Sequence, residues 1–223
     1  MTMLSSLRTV VSPILMLAAA AAATTLGPRP DAVLSRLRDL GCACILGNHD
    51  EFMLDPGLIH TYSESPLIVS SVDATRAALS KEALAFIATF ERTLTLPDIL
   101  LYHATPRSNM EDLLVGTPPE KVDEMLDGRR AAILAGGHTH LQMLRQHHGM
   151  LLVNAGSVGM PFRDYASGGT PVILAHAEYA IVDVREGGAS VDLRRVLLDR
   201  SALAAQVEGW QNPLGEPLRA SYA

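Results

Sequence analysis

The sequence predicts an α/β fold, because short aliphatic runs typical of buried strands occur along the same chain as amphipathic helices. Ile99–Tyr102 and residues 131–135 are such runs. Residues 31–40 carry apolar side chains at helical spacing, and residues 73–90 repeat that spacing with a break at Ser80, which predicts two helices there.

Length and composition favour one globular domain with tails. The 223 residues are 48% hydrophobic and 19% charged, which is enough to bury a full core, and no repeat or low-complexity linker divides them. We expect an atypical Ala-rich segment over 1–27, the domain over 28–210 and a loose tail over 211–223. The net charge of −6 argues against a nucleic-acid scaffold binder, which needs a basic face.

Histidines follow three of the apolar runs. Gly47-Asn48-His49-Asp50 comes after residues 42–46, His103 comes after Ile99–Tyr102, and Gly137-His138-Thr139-His140 comes after residues 131–135. Loops at the edge of a sheet place such side chains on a rigid scaffold. One histidine at a loop is usually an ordinary structural residue, but three at successive strand ends indicate a metal site, since neutral imidazole suits manganese, iron, nickel and zinc.

Together with the later run Val153-Asn154-Ala155-Gly156-Ser157-Val158-Gly159, the order of these motifs resembles the calcineurin-like metallophosphoesterases, in particular their compact bacterial phosphatases and phosphodiesterases. The resemblance covers about residues 28 to 200. It implies a four-layer α/β/β/α sandwich with two divalent metal ions at the rim between its sheets. It also implies hydrolysis of phosphomonoesters or phosphodiesters of small molecules by a metal-activated water, with manganese favoured over iron, nickel or zinc.

The resemblance also implies roles for individual residues. Asn48, His103 and His138 match the ligands of one ion, and His140 matches a ligand of the other. His49 matches the residue that contacts the phosphate and helps to protonate the leaving oxygen, a role that suits a group titrating near neutral pH.

Two further residues have alternative interpretations. Asp50 either holds the ring of His49 in one tautomer or caps a helix that follows the strand. Arg107 either binds phosphate oxygens bidentately or pairs with Glu111 or Asp112 on a loop.

The chain departs from the family at its start. The family carries an Asp-x-His motif after its first strand and a Gly-Asp motif after its second, whereas residues 1–27 contain no Asp, Glu or His. We therefore expect the sandwich to lack its usual first strand motifs, and the site to bind one ion weakly with little turnover. The alternative is a non-enzymatic member that binds metal or a phosphorylated ligand. An altered reading frame or start, a degenerate paralogue and an added export segment each explain the departure.

The N-terminal segment and the cysteines bear on the compartment. The N-terminal segment resembles a signal peptide, with Arg8, then an apolar stretch over 10–17 and alanines up to Ala23. The apolar stretch is too short for a membrane span, which needs about 20 residues. A plain helix over 18–23 is the alternative. Cys42 and Cys44 are too close in sequence for an ordinary disulfide, so we expect buried thiols in a reducing cytoplasm, with export as the alternative.

Missing strands would expose a sheet edge and favour homo-oligomers.

The remaining elements are predicted from local patterns. Thr117 is expected to cap a helix, and His60, His147 and His148 are expected to be exposed. Strands are expected at 150–153, 171–176, 178–184 and 190–197, with a turn at 186–188, and a last helix is expected at 201–210.

Overall fold

The computed structural model describes residues 15–17, 27–63, 65–166, 171–185 and 188–223. It contains two β-sheets. One has three strands in the order β1-β7-β8, and the other has five in the order β2-β3-β4-β6-β5. The strands are β1 Leu15–Leu17, β2 Thr93–Leu96, β3 Ile99–Tyr102, β4 Ile133–Gly136, β5 Met143–His147, β6 Met150–Asn154, β7 His176–Arg185 and β8 Gly188–Leu197.

The three central strands of the larger sheet, β3, β4 and β6, are parallel, whereas β2 and β5 are antiparallel edge strands. Parallel strands end at the same edge of a sheet, so the residues that follow Tyr102, Gly136 and Asn154 emerge side by side. We call this edge the rim. The fold thus brings two of the three histidine motifs together at one place.

The larger sheet is covered on both faces, because successive side chains of a strand point to opposite sides. Leu100, Tyr102, Leu134 and Leu152 pack with α6 (Pro119–Leu126), while Ile99, Leu101, Ile133, Ala135 and Val153 pack with Ala180 and Val182 of the second sheet. The predicted α/β sandwich is confirmed.

Helices at the start of the described chain share a separate apolar core that includes Phe52, Met53, Ile59, Val72 and Ile87. They include the predicted helix at 31–40 and the predicted pair broken at Ser80, whose Oγ accepts the backbone N–H of Ala83. These elements are α1 Pro30–Leu40, α2 Asn48–Leu54, a 3₁₀ turn at Pro56–Leu58, α3 Ile59–Tyr62, α4 Pro66–Ala78 and α5 Lys81–Ile87.

The expected strand over residues 42–46 was wrong. Ile45 forms an isolated parallel bridge with Glu91, held by hydrogen bonds from Leu46 N to Glu91 O and from Glu91 N to Cys44 O. This segment lies between two helices, and its backbone pairs with the short connection after α5 at one point, so no ladder develops. Asn48 still begins the next helix at the expected place.

Two other local predictions were also wrong. The helix α6 begins at Pro119 after Pro118, while Thr117 uses its hydroxyl to accept the N–H of Leu114. In the expected strand at 171–176, Ile173 makes an isolated bridge to Phe162. The hydroxyl of Thr117 is used within its own loop, and the backbone around Ile173 pairs with residues 161–163, so in each place a partner outside the predicted element competes with the local pattern.

The expected loose tail over 211–223 is ordered by a helix. Leu218 and Tyr222 of α8 (Gly215–Tyr222) are buried in one cluster with Val207 of α7 (Arg200–Val207). Residues 218 and 222 are four apart and therefore lie on one helix face, and burial of that face against α7 orders the segment.

Several expectations concern the ends and the thiols. Cys44 is buried as expected, but Cys42 is exposed. The expected helix at 18–23, most of the signal-like segment and positions 186 and 187 of the expected turn lie outside the described residues. In the part of the chain that the structure describes, no helix is long and apolar enough to cross a membrane.

Candidate metal centre

Asn48, His103 and His138 meet at the rim. Oδ1 of Asn48 lies 2.8 Å from Nε2 of His103, and Nδ1 of His138 lies 3.2 Å from the same Nε2. Asn48 is the first residue of α2, and the two histidines follow β3 and β4. Three elements that are distant in sequence therefore direct one ligand atom each to a single point.

The spacing of these atoms fits one bound cation. Ligand atoms held about 2.1 Å from one ion and at right angles to each other are separated by about 3.0 Å. Nδ1 of His103 is buried without a hydrogen-bond partner among the described residues. If Nε2 of His103 carries the ring proton, Nδ1 is a buried acceptor without a partner. If Nδ1 carries it, the lone pair of Nε2 faces the lone pairs of the Asn48 oxygen, which is unfavourable. A cation between these atoms removes that repulsion between lone pairs.

The protonation state of the histidines suits metal binding. Burial lowers the pKa of His103 well below its usual range, and the neighbouring His138 and His140 add to the effect. Burial also lowers the pKa of His138, against a smaller opposing influence of Asp112. Both rings are therefore neutral at pH 7, which is the form that binds a metal ion.

His140 presents one nitrogen to the centre. Its Nδ1–H donates to the backbone oxygen of Met160 over 2.7 Å, so the lone pair of the neutral ring is on Nε2. Burial lowers its pKa to about 4. His49 is half-buried, lies edge-on to Phe52, and has a pKa lowered by burial to about 3. Both residues line the same cavity as Asn48 and His138.

The turn that carries His138 and His140 has an unusual backbone. Both residues have positive φ, 69° and 57°, an uncommon conformation for residues other than glycine that is typical of functional sites. Asn154 stabilises the turn, since its amide donates to the oxygen of Gly137 and to Thr139 Oγ1. The segment after Val153 therefore packs against the turn that carries the two histidines.

Gly136, just before this turn, has no room for a side chain. A Cβ there would lie 2.7 Å from the ring of Tyr102 and 2.8 Å from the oxygen of His103. This close approach holds β4 against the segment that carries His103. The glycine therefore contributes to the distance between the two histidines.

Asp112 was missed as a site residue. Its Oδ1 lies 3.4 Å from Nε2 of His138, and its Oδ2 accepts a hydrogen bond of 2.6 Å from the hydroxyl of Tyr165. A carboxylate at this place favours a proton on Nε2 and leaves the lone pair on Nδ1, which faces His103. In the sequence, Asp112 is an unremarkable loop residue 26 positions before His138, and no motif identifies it.

The hydrogen bond of Asp50 agrees with the helix-cap interpretation, and a role of Asp50 in holding the ring of His49 stays a prediction. The contacts of Arg107 agree with pairing on a loop. Oδ2 of the fully buried Asp50 accepts the N–H of Gly47 at the start of α2, as expected of a helix cap. Arg107 binds Glu111 through Nε and Nη2, and Glu111 raises the pKa of the guanidinium further. Phosphate binding by Arg107 stays a prediction, and the structure does not bring Arg107 into the lining of the cavity at the rim.

That cavity has a volume of about 420 Å³ and opens beside His49 and His140. Much of its wall is apolar and comes from segments far apart in the chain. The apolar residues include Leu67, Ile68, Met160, Phe162, Ile173 and Leu218.

The ligands present fit one ion better than two. Asn48, His103 and His138 supply three ligand atoms for one ion. A second ion would be bound by His140. Among the described residues, the rim has no group of three His, Cys, Asp or Glu ligand atoms within 4.8 Å of one another. This agrees with the absence of Asp, Glu and His from residues 1–27 of the sequence.

Comparison with known proteins identifies the family. A model of the calcineurin-like phosphoesterase superfamily domain matches residues 17–187. An uncharacterized protein of Methanocaldococcus jannaschii is 23% identical over 178 residues, which are 71% of this chain and 70% of that protein.

Two crystal structures share the fold. A metallophosphoesterase from Sphaerobacter thermophilus matches with a TM-score of 0.67 and 19% identity, covering 88% of this chain and 83% of that one. A hypothetical protein from Pyrococcus horikoshii OT3 matches with a TM-score of 0.70 and 16% identity, covering 88% and 79%. The family model spans Asn48, His103, His138 and His140, and the chain belongs to the calcineurin-like phosphoesterase superfamily.

Proposed function

We propose that this chain hydrolyses a phosphoester of a small molecule with the help of a divalent metal ion held by Asn48, His103 and His138. The observation that carries the proposal is the convergence of Asn48 Oδ1 and His138 Nδ1 on Nε2 of His103, at 2.8 Å and 3.2 Å. When bound, a divalent ion polarises a phosphoryl oxygen and lowers the pKa of a water molecule. Manganese is the ion to test first, followed by zinc, iron and nickel.

His49 and His140 act on the substrate side of the centre. Both line the cavity, so a phosphate placed near the ligand atoms lies within their reach. His49 is neutral at pH 7, because burial lowers its pKa to about 3. A phosphate dianion nearby favours the charged form of the ring, which raises the pKa of His49 and prepares it to donate a proton to the leaving oxygen.

The shape and polarity of the cavity favour a substrate with an apolar organic group. The volume of about 420 Å³ accommodates a small molecule, and the wall opposite the histidines is largely aliphatic and aromatic. A phosphodiester or phosphomonoester with an aromatic or alkyl substituent suits this arrangement better than an inorganic or highly charged substrate. We place this activity in the reducing cytoplasm, in keeping with the free thiol of the exposed Cys42.

The proposal is tested with purified chain, stripped by a chelator and reloaded with Mn²⁺. Bis(p-nitrophenyl) phosphate and p-nitrophenyl phosphate report on diesterase and monoesterase activity. We expect slow turnover that is lost in His138→Ala and retained in His60→Ala, which replaces an exposed histidine on α3. Equal turnover by wild-type protein and His138→Ala would show that a contaminant is responsible.

A second candidate function is binding of a metal ion and a phosphorylated ligand without hydrolysis. The incomplete ligand set for a second ion favours it. Calorimetric titration of the Mn²⁺-loaded chain with inorganic phosphate separates the two functions. Binding without turnover of either chromogenic ester supports the second, and turnover that depends on His138 excludes it.

A further inference from the structure

A second cluster of potential metal ligands lies away from the rim. His147 ends β5, His148 follows in the turn before β6, and Asp123 is on α6. Nε2 of His147 lies 2.8 Å from Oδ1 of Asp123, and Nε2 of His148 lies 3.4 Å from Oδ2. Each carboxylate oxygen therefore faces a different imidazole. The expectation that both histidines are exposed was wrong for His147, which is only 5% exposed.

The hairpin turn brings the two rings to the same side. Consecutive side chains on a strand point in opposite directions, so His147 and His148 would diverge on a regular strand. His148 and Gly149 instead have φ of 47° and 78°, the combination of a tight two-residue hairpin. As a result the centroids of the two imidazole rings are 4.3 Å apart. A hydrogen bond from Arg130 Nη2 to the oxygen of His148 stabilises the turn.

The cluster is at the opposite end of the sheet from the rim. His147 pairs with Met150 at the start of β6, whereas Asn154 at the end of β6 pairs with Met143 and lies at the rim. Four residues of a strand span about 13 Å. A ligand at this cluster is therefore too far away to be shared with Asn48, His103 and His138.

We propose that Asp123, His147 and His148 bind one divalent transition-metal ion of the zinc class. The three ligand atoms lie within 4.8 Å of one another, so small rotations of the two exposed side chains suffice to place them around one ion. Two imidazoles and one carboxylate are a recurring three-ligand set for zinc that leaves a fourth position to water. Imidazole with carboxylate also accepts nickel or copper, whereas magnesium and calcium prefer oxygen ligands.

Burial and exposure of the three side chains suit such a site. His147 is buried and held in place, while the side chains of Asp123 and His148 are 54% and 55% exposed, which lets an ion enter from solvent. Binding uses the lone pair of each Nε2, so both neutral rings take the tautomer with the proton on Nδ1, and the hydrogen bonds from Nε2 to Asp123 are replaced by bonds to the ion. The bound ion joins α6 to the hairpin between β5 and β6, and so stabilises the outer face of the larger sheet.

The test uses the full chain with the rim ligands removed, as Asn48→Ala/His138→Ala, so that zinc at the rim does not obscure the result. Zinc is titrated in competition with a chromophoric chelator. We expect one zinc ion per chain. Loss of a residue that only hydrogen-bonds to a metal ligand lowers metal affinity by about 10-fold. Loss of a ligand itself, in His148→Ala or Asp123→Asn in this background, should therefore lower zinc affinity by at least about 10-fold. His60→Ala is the matched control and should leave the affinity unchanged.

Two results overturn the proposal: no zinc bound by the folded rim variant, or the same affinity after His148→Ala. If circular dichroism shows that the rim variant is unfolded, the wild-type chain answers the same question by NMR. The imidazole resonances of His147 and His148, assigned with the single variants, should shift on addition of zinc while that of His60 does not. Unchanged resonances would show that the three residues form a hydrogen-bonded cluster without a metal.

Discussion

The side-chain oxygen of Asn48 lies 2.8 Å from Nε2 of His103, although 55 positions separate the two residues in the sequence. Both side chains are buried, and they come from the first turn of α2 and from the end of β3. The pair forms the base of the proposed metal centre, and His138, whose Nδ1 lies 3.2 Å from the same Nε2, completes it.

Replacement of Asn48 by alanine should therefore weaken metal binding at the rim. The substitution removes one of three ligand atoms, and we expect the affinity for Mn²⁺ to fall by about 10-fold or more. The measurement is the Mn²⁺-dependent rise in thermal unfolding temperature, which depends on ion affinity and concentration. Gln146→Ala, which removes an exposed amide, is the control. An equal rise in wild type and Asn48→Ala would place the ion elsewhere.

Asp112 should act on metal affinity through His138. In Asp112→Asn the negative charge 3.4 Å from Nε2 of His138 is lost, so the ring is no longer biased towards the tautomer with its lone pair on Nδ1. We expect a fall of about 10-fold in Mn²⁺ affinity, with a smaller fall in Tyr165→Phe, which removes a hydrogen bond to the carboxylate. Calorimetry measures both values.

Asp164→Asn provides the comparison for Asp112, since Asp164 is 73% exposed and pairs with the adjacent Arg163. A general effect of net charge on ion binding would lower the affinity of Asp112→Asn and Asp164→Asn equally. That result would contradict a positioning role for Asp112.

Gly156 should tolerate no side chain. Its φ is +80°, and a Cβ would overlap Oε2 of the buried Glu178 as well as Cγ of Gln142. The left-handed conformation and the overpacking each cost about 1–2 kcal/mol, so Gly156→Ala should lower the free energy of unfolding by about 3 kcal/mol. Urea denaturation measures this change. Gly116→Ala, where no atom lies within 4 Å of the new Cβ, should change it by less than about 0.5 kcal/mol.

The metal-free protein should lose stability in mild acid. Burial lowers the pKa of His49 from 6.5 to about 3 and that of His140 from 6.5 to about 4. Below about pH 6.5 the unfolded chain therefore takes up protons that the folded chain does not, so the free energy of unfolding falls progressively until the pH reaches the folded pKa values of about 4 and about 3. We expect the thermal unfolding temperature in a chelator to fall steadily from pH 7 to pH 5.

A variant checks the origin of that acid sensitivity. His140→Gln removes one of the histidines whose pKa burial lowers and should give a shallower dependence of unfolding temperature on pH, whereas His60→Gln serves as a matched exposed substitution. A pH profile of the wild-type chain that is flat from pH 7 to pH 5 would contradict the buried neutral state of these histidines.

The two cysteines should differ in reactivity. Burial raises the pKa of Cys44 to about 12, with a further contribution from Cys42, whereas Cys42 itself is exposed. The thiolate is the reactive form. At pH 8 we expect iodoacetamide to label Cys42 in the folded chain and Cys44 only after denaturation. Peptide mass spectrometry identifies the labelled residue, and rapid labelling of Cys44 in the folded chain would show that the core around α1 and α2 opens readily.

Part of the fold followed from local patterns. The runs at Ile99–Tyr102 and 131–135 and the break at Ser80 predicted elements that the structure contains, because strand and helix periodicity depends on neighbours in the chain. The loose tail was wrong for the opposite reason. The helix α8 is ordered by burial of Leu218 and Tyr222 against α7, a contact that local propensity does not report.

The sequence by itself determined the family and the kind of chemistry, because Asn48, His103, His138 and His140 sit in short motifs whose order and spacing can be recognised without a structure. Only the tertiary structure decided which side chains from distant parts of the chain approach the histidines. Asp112 approaches His138, and Asp123 approaches His147 and His148. Such contacts depend on how sheets and helices pack, so no local pattern in the sequence specifies them.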